Sequence, residues 1–209
     1  MAGAAVVACV LLALAGCDED GPKDGADGAA AVIAPGKPGE KSRTLSPEQA
    51  ARERPDDSPN AADQTYVRDM VEHHRQALQM SALAPDRASA EGVRRVAERI
   101  TAAQQPEIGA MQRWLARYPA PSGSPTGEHA HDHGAMPGMA SRQQLDELAA
   151  AKGADFDRLF LRLMIAHHEG ALKMAGEALA GGNNTAVEEM ATEVVATQSA
   201  EIHRMRAMG

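Results

Sequence analysis

Aromatic side chains are nearly missing from this 209-residue sequence: one Trp, two Tyr and two Phe, 2% of the chain. Aromatic platforms for stacking bases or sugars are therefore excluded, and any core must be built from Leu, Val, Ile, Ala and Met. Cysteine is as scarce, with only Cys9 and Cys17, both at the extreme N-terminus, so no disulfide framework can staple a fold. Basic residues are outnumbered, 21 Lys and Arg against 29 Asp and Glu for a formal charge of −8. That balance excludes nucleic acid as a partner, because phosphate binding needs clustered Lys and Arg. The sequence also has no phosphate-cradling Gly loop, no Ser/His/Asp arrangement and no acid–base pair suited to hydrolysis.

The first seventeen residues, M-A-G-A-A-V-V-A-C-V-L-L-A-L-A-G-C, are an apolar run too short for a mature membrane span and end in small residues. Leu14-Ala15-Gly16-Cys17 resembles a bacterial lipobox, which implies a signal peptide over 1–16 and lipidation of Cys17, although no Lys or Arg precedes the run. An extracytoplasmic protein anchored to the cell membrane by two acyl chains follows from that reading. From Cys17 to residue 58 the composition turns to Gly, Pro, Asp, Glu, Lys and Ser, which predicts a disordered tether, with Ser46-Pro47-Glu48 as the one possible helix start.

What the chain does have is a repeat. Met70 to Met80, M-V-E-H-H-R-Q-A-L-Q-M, returns ninety-four residues later as Met164 to Met174, M-I-A-H-H-E-G-A-L-K-M. The same shift carries Gln104, Glu107, Ile108 and Met111 onto Gln198, Glu201, Ile202 and Met205, so residues 61–115 duplicate as 155–209. On a helix, Met70, His73, His74, Ala77 and Met80 share an arc of roughly 120°, the width of a buried stripe. Each repeat therefore reads as a helical hairpin that cannot bury its apolar face alone. Two of them predict an all-α four-helix bundle over 59–209.

The first helix is expected to run from an Asn60 cap to before Pro85, and the second from an Asp86 cap towards Tyr118 with Pro106 inside it. The third is expected to run from Ala154 to Ala180, stopped by a left-handed cap at Gly181-Gly182, and the fourth from Asn184 or Thr185 to the end. A capping box at Ser141 and Gln144 predicts a short helix through Ala150. The His/Met-rich loop 119–140 between the hairpins fits either a ferritin-like bundle with one crossover or a plain up-and-down bundle.

Eight His and eleven Met make a soft donor set, which selects copper, Cu(I) in particular, over magnesium, calcium or manganese. A thioether binds without deprotonation and forms no disulfide, which suits an extracytoplasmic site. His129, His131, His133, Met136 and Met139 in the central loop are further candidates, as any His-rich tract is. Methionine at helical spacing is ordinarily core filler, and Met190 and Met208 are read so. An alternative keeps the core polar and metal-free, each His being satisfied by Glu107, Glu201, Gln104 or Gln198. A dimetal oxidase on the same bundle wants about four Glu with Glu-x-x-His motifs. Only Glu107 and Glu201 recur here, so they join the metal candidates and enzymatic activity is not expected. A metal-independent interaction or sensing module is the remaining alternative.

Asp155-Phe156-Asp157, Phe160-Leu161, Met164-Ile165, His167-His168, Gly170-Ala171, Met174-Ala175, Gln198, Glu201-Ile202 and Met205, preceded by Met136-Pro137-Gly138-Met139, resemble domain-of-unknown-function family 305, also called CopM-like. The resemblance covers about Asn60 to the C-terminus and implies a ferritin-like bundle, usually exported, some members of which bind copper and support copper tolerance. The copper ligands it implies are Met70, His73, His74, Met80, Met111, Met164, His167, His168, Met174 and Met205, with a copper donor or acceptor protein as partner. In this chain Pro106 departs from the family's pattern in the second helix.

Overall fold

The computed structural model describes residues 31–36, 39–54, 56–119 and 136–209. They fall into two units, one ending at Pro55 and the other spanning Asp56–Gly209. In the first, strands β1 (Val32–Ala34) and β2 (Arg43–Leu45) pair antiparallel, Val32 opposite Leu45, and helix α1 (Pro47–Glu53) follows. The expectation of an unstructured tether is corrected over these residues. Composition missed the hairpin because its apolar positions are few, yet Val32 and Leu45 face each other and Arg43 reaches Glu53 at 2.8 Å. Helix α1 begins with the anticipated signal, a capping box between Ser46 and Gln49. Among the described residues no helix is long and apolar enough to cross a membrane. The proposed signal peptide and Cys17 lie outside the described residues.

The second unit is the four-helix bundle. Its long helices are α2 (Ala61–Ser81), α4 (Glu91–Arg117), α6 (Gly153–Gly181) and α7 (Thr185–Arg206), with α3 (Ala84–Arg87) and α5 (Arg142–Ala150) in the connections. Helices α2 and α4 form one hairpin and α6 and α7 the other, while α2 packs on α6. The start of α2 meets the end of α6, where Asn60 Nδ2 donates to the Gly181 carbonyl at 2.8 Å. The end of α4 meets the start of α7, where Trp114 Nε1 donates to Asn184 Oδ1 at 2.9 Å. The order is therefore up, down, down, up. Between α4 and α6 the chain returns the length of the bundle, which decides for the single-crossover, ferritin-like topology.

Two apolar clusters fill the bundle. One holds Tyr66, Val67, Met70, Met111, Trp114, Met174 and Val187, and the other Met80, Ile100, Phe156, Phe160, Met164, Ile202 and Met205. The ninety-four-residue shift maps Met70, Met111 and Met80 of one hairpin onto Met164, Met205 and Met174 of the other. Each cluster thus combines methionines from both hairpins, as a pseudo-twofold axis across the bundle requires.

The caps correct the boundary expectations. Asp86 does not start the second helix, because it lies inside the one-turn α3, which has Pro85 in its first turn, and α4 begins only at Glu91. No side chain of its own caps α4. Asp157 of α6 takes that role, accepting from the backbone N–H of Ser89 at 3.1 Å and of Ala90 at 2.9 Å. Its repeat mate Asp63 does the same for α7, accepting from Asn183 and Asn184 at 3.1 and 3.2 Å. The two hairpins cap each other. Gly182 is extended at φ −72° rather than left-handed. Its lack of a side chain matters for another reason, since a Cβ there would collide with the Asp63 carboxylate. Helix α4 continues through Pro106, and the Ala102 carbonyl that loses its partner belongs to an exposed residue.

Candidate metal centre

Between the two methionine clusters lies a polar layer contributed by all four helices. The helical stripe places His73 and His74 of α2 and His167 and His168 of α6 on facing surfaces, and all four are completely buried, 0% exposed. The rings of His73 and His167 lie against one another with centroids 3.8 Å apart and planes 35° apart. His167 and His168 have centroids 6.3 Å apart.

Each outer imidazole is held by a glutamate from its own hairpin. His74 Nε2 donates to Glu107 Oε2 at 2.6 Å, and His168 Nε2 donates to Glu201 Oε2 at 2.8 Å. His73 Nε2 lies 3.1 Å from the carbonyl oxygen of Pro137. A carbonyl only accepts, so His73 carries its proton on Nε2 and presents the Nδ1 lone pair to the interior. Burial pushes the His73 pKa down to about 4, against a smaller upward pull from the Pro137 carbonyl, with His74 and His168 adding to the depression. Burial likewise holds His167 well below the usual histidine range, reinforced by the three other imidazoles. Both are neutral at pH 7, the form that binds a metal ion.

The layer leaves an unusual number of polar atoms bare. Nδ1 of His73, His74 and His168 and both ring nitrogens of His167 have no hydrogen-bond partner among the described residues. Nor do both amide atoms of Gln104, Oε1 of Gln198 and the hydroxyl of Tyr66. Burial raises the Tyr66 pKa, with the Glu107 charge adding to the rise. Each bare buried polar atom costs on the order of 1–3 kcal/mol. The metal-free reading, in which glutamates and glutamines satisfy every histidine, is therefore half realised. Glu107 and Glu201 do so at one nitrogen each, whereas the glutamines do not.

The final residues of the crossover close the layer on one side and break its symmetry. Gln76 grips Ala140 twice, donating from Nε2 to its carbonyl at 2.9 Å and accepting from its N–H at 2.7 Å. The repeat mate of Gln76 is Gly170, where a Cβ would overlap the Pro137 carbonyl, and a Cβ on Gly138 would overlap the Ala166 carbonyl. Gly138 has φ +76°, a conformation other residues rarely adopt. The substitution of Gly for Gln between repeats is what lets Met136–Ala140 lie in the α2/α6 seam. Sequence reasoning missed this clasp, and the Gln76/Gly170 mismatch within an otherwise regular repeat was the available signal.

The predicted ligands are thus partly gathered. Met70, Met111 and Met174 are buried on one side of the histidines and Met80, Met164 and Met205 on the other. Met136 packs half-buried against the first cluster, and Met139 is half-buried. His129, His131 and His133 lie outside the described residues. Among the described residues no three His, Cys, Asp or Glu side chains are arranged to hold a metal ion. Among those residues a cation demanding several hard nitrogen and oxygen donors finds no ready site. The donors on offer are bare neutral imidazole nitrogens and thioethers, a set that fits a soft ion accepting few ligands. The Glu107–His74 and Glu201–His168 bonds also match the outer support that metal-binding histidines receive, a carboxylate on one nitrogen leaving the other free.

Comparison with known proteins agrees with this architecture. The family model described as domain of unknown function (DUF305) matches residues 63–209. A crystal structure of a DUF305 protein from Streptomyces coelicolor, described as secreted, is 32% identical with TM-score 0.63, covering 73% of this chain and 92% of that one. A DUF305 fragment from Deinococcus radiodurans is also 32% identical with TM-score 0.63, over 72% of this chain and 97% of that one. CopM in its Cu(I)-bound form is 28% identical with TM-score 0.55, over 70% and 94%. CopM structures in Cu(II)-bound, Ag-bound and apo forms match similarly. None of the curated proteins matches the chain. With the family model covering well over half of its length, the chain belongs to the DUF305 family, as a ferritin-like helical bundle similar to CopM.

Proposed function

We propose that this protein binds copper, preferentially Cu(I), outside the cytoplasm, and serves as a buffer or carrier in metal homeostasis rather than as an enzyme. The observation that carries the reading is the layer of four fully buried imidazoles with bare ring nitrogens, bracketed by six buried methionines. Packing alone gains nothing from that arrangement, whereas a soft ion would satisfy the bare nitrogens. The relatives support it, since CopM is known in Cu(I)-, Cu(II)- and Ag-bound forms. The lipobox-like Leu14–Cys17 and the Streptomyces coelicolor relative described as secreted support export, with a lipid on Cys17 as the anchor.

The test is an anaerobic Cu(I) competition titration of the full chain against two variants. One lacks residues 129–133, which leaves the Met136–Ala140 clasp on His73 and Gln76 in place, and the other changes His73, His74, His167 and His168 to Gln. Tight uptake that survives loss of the loop but not of the core histidines supports the reading. Uptake that vanishes with the loop alone would make the buried histidines structural and favour a metal-independent envelope module. Copper-dependent protection against melting, about 2.7 kcal/mol at a hundredfold excess over Kd, gives an independent readout.

A further inference from the structure

The pseudo-twofold axis gives the histidine layer two related flanks where α4 and α7 approach, and their chemistry is opposite. On one flank a groove of about 290 Å³ is lined by Glu107, Met111, Glu189, Met190 and Glu193. Glu189 and Glu193 are exposed, Met190 is half-buried and Met111 is buried, so carboxylates stand outside and thioethers inside. Shifting by ninety-four residues gives the other flank, where Arg95 replaces Glu189, Val96 replaces Met190, Arg99 replaces Glu193 and Arg204 replaces Ala110. Three exposed arginines and a valine thus occupy the places of two acids, a thioether and an alanine.

The groove also reaches the layer, which an acidic surface patch by itself would not do. Glu107 forms part of its wall and simultaneously holds His74, a fully buried imidazole with a bare ring nitrogen. The Glu107 side chain is 22% exposed, whereas its mate Glu201 is 9% exposed. One carboxylate therefore bridges solvent and the layer on the acidic flank, and its counterpart is shut in on the basic one. Low-dielectric walls lined by one sign of charge raise the local concentration of the opposite ion.

We infer that the groove between α4 and α7 is the one-sided inlet for the metal ion, with Glu189 and Glu193 attracting a soft cation, Met190 and Met111 receiving it, and Glu107 leading it to His74. Met190, which spacing alone marks as core filler, becomes a transfer ligand. The inference rests on the copper-binding reading and adds its route and direction.

The experiment follows the loading rate of the full chain with Cu(I) supplied as its acetonitrile complex, read from the fluorescence of the single Trp114 and by trapping unbound ion with a chelator. Glu189→Arg with Glu193→Arg gives the acidic flank the charges of the basic one. It should slow loading about fivefold or more at low ionic strength, and the difference should collapse near 1 M salt, where screening acts within about 3 Å. Glu189→Gln with Glu193→Gln should slow loading less, and Met190→Val should slow it at any salt. The reverse exchange, Arg95→Glu with Arg99→Glu, changes net charge by the same amount and should leave the rate within about twofold. Melting temperatures of all four variants establish that they fold. Equal rates for wild type and both Glu189/Glu193 variants overturn the inlet while leaving copper binding intact, as does a compensating acceleration in the arginine variant, which would mark a net-charge effect. A wild-type chain that takes up no Cu(I) overturns both readings.

Discussion

His73 and His167 are repeat mates that meet ring to ring at the centre of the bundle, 3.8 Å apart, yet among the described residues only the His73 ring has a hydrogen-bond partner. The repeat places both on the same inward stripe. The crossover then lays the Pro137 carbonyl on one of them and leaves the other bare. The two halves of the layer are therefore chemically distinct although the paired histidines stand at equivalent positions of the repeat.

Acid should destabilise the metal-free protein through these two residues. Their folded pKa values lie below the ordinary histidine value of 6.5, that of His73 at about 4. The unfolded chain therefore binds more protons as pH falls below about 6.5, and stability drops until the folded pKa is reached. For His73 alone the loss amounts to about 3 kcal/mol. Thermal unfolding at pH 7.5, 6 and 4.5 should show a falling melting temperature, and a His73→Gln variant should show a shallower fall. A profile that stays flat from pH 7.5 to 4.5 would contradict the buried neutral state.

Removing the carboxylate that holds His74 should weaken metal binding without unfolding the bundle, because Glu107 is partly exposed. Loss of such outer support typically costs 10–100-fold in affinity. Glu107→Ala is expected to lie in that range by Cu(I) competition, and Glu107→Gln, which keeps an acceptor for the Nε2 proton, should recover part of it. Equal affinities for wild type and the Ala variant would dissociate Glu107 from the site.

Two glycines of α6 should respond in opposite directions to a single methyl group. At Gly170 a Cβ would overlap the Pro137 carbonyl, so Gly170→Ala must push the clasp off the seam, at about 1–3 kcal/mol. At Gly176 a Cβ meets nothing within 4 Å, and Gly176→Ala should stabilise by up to about 1 kcal/mol through helix propensity. Chemical denaturation of both variants checks the pair. Destabilisation at 176 equal to that at 170 would refute the packing of the clasp.

The reciprocal caps should be separable. Asp63→Ala and Asp157→Ala each remove an acceptor from the start of a helix in the other hairpin, at about 1–2 kcal/mol each. Lying at opposite ends of the bundle, the losses should add. Strong non-additivity in the double variant would show that the two ends unfold as one local unit.

Much of the fold was legible because it depends on periodicity. The stripe from Met70 to Met80, its return at Met164 to Met174 and the cap at Asn60 are local signals, and a duplicated amphipathic hairpin has few ways to hide its apolar face. The short hairpin at Val32 and Leu45 escaped because pairing across a turn leaves no periodic trace in so few residues. The Asp86 cap failed for a related reason. The acceptor that the N–H groups at the start of α4 need comes from Asp157, almost seventy residues away, and nothing near Asp86 announces it.

The sequence by itself determined the donor inventory, the number of long helices and the equivalence of the two halves, since composition and spacing carry those directly. Only the tertiary structure decided the crossover, the bare ring nitrogens, the clasp on His73 and the opposite charge of the two flanks. Each of these depends on which surfaces of distant segments meet, and the packing of α2 on α6 and of α4 beside α7 settles that, not the order of residues along either helix.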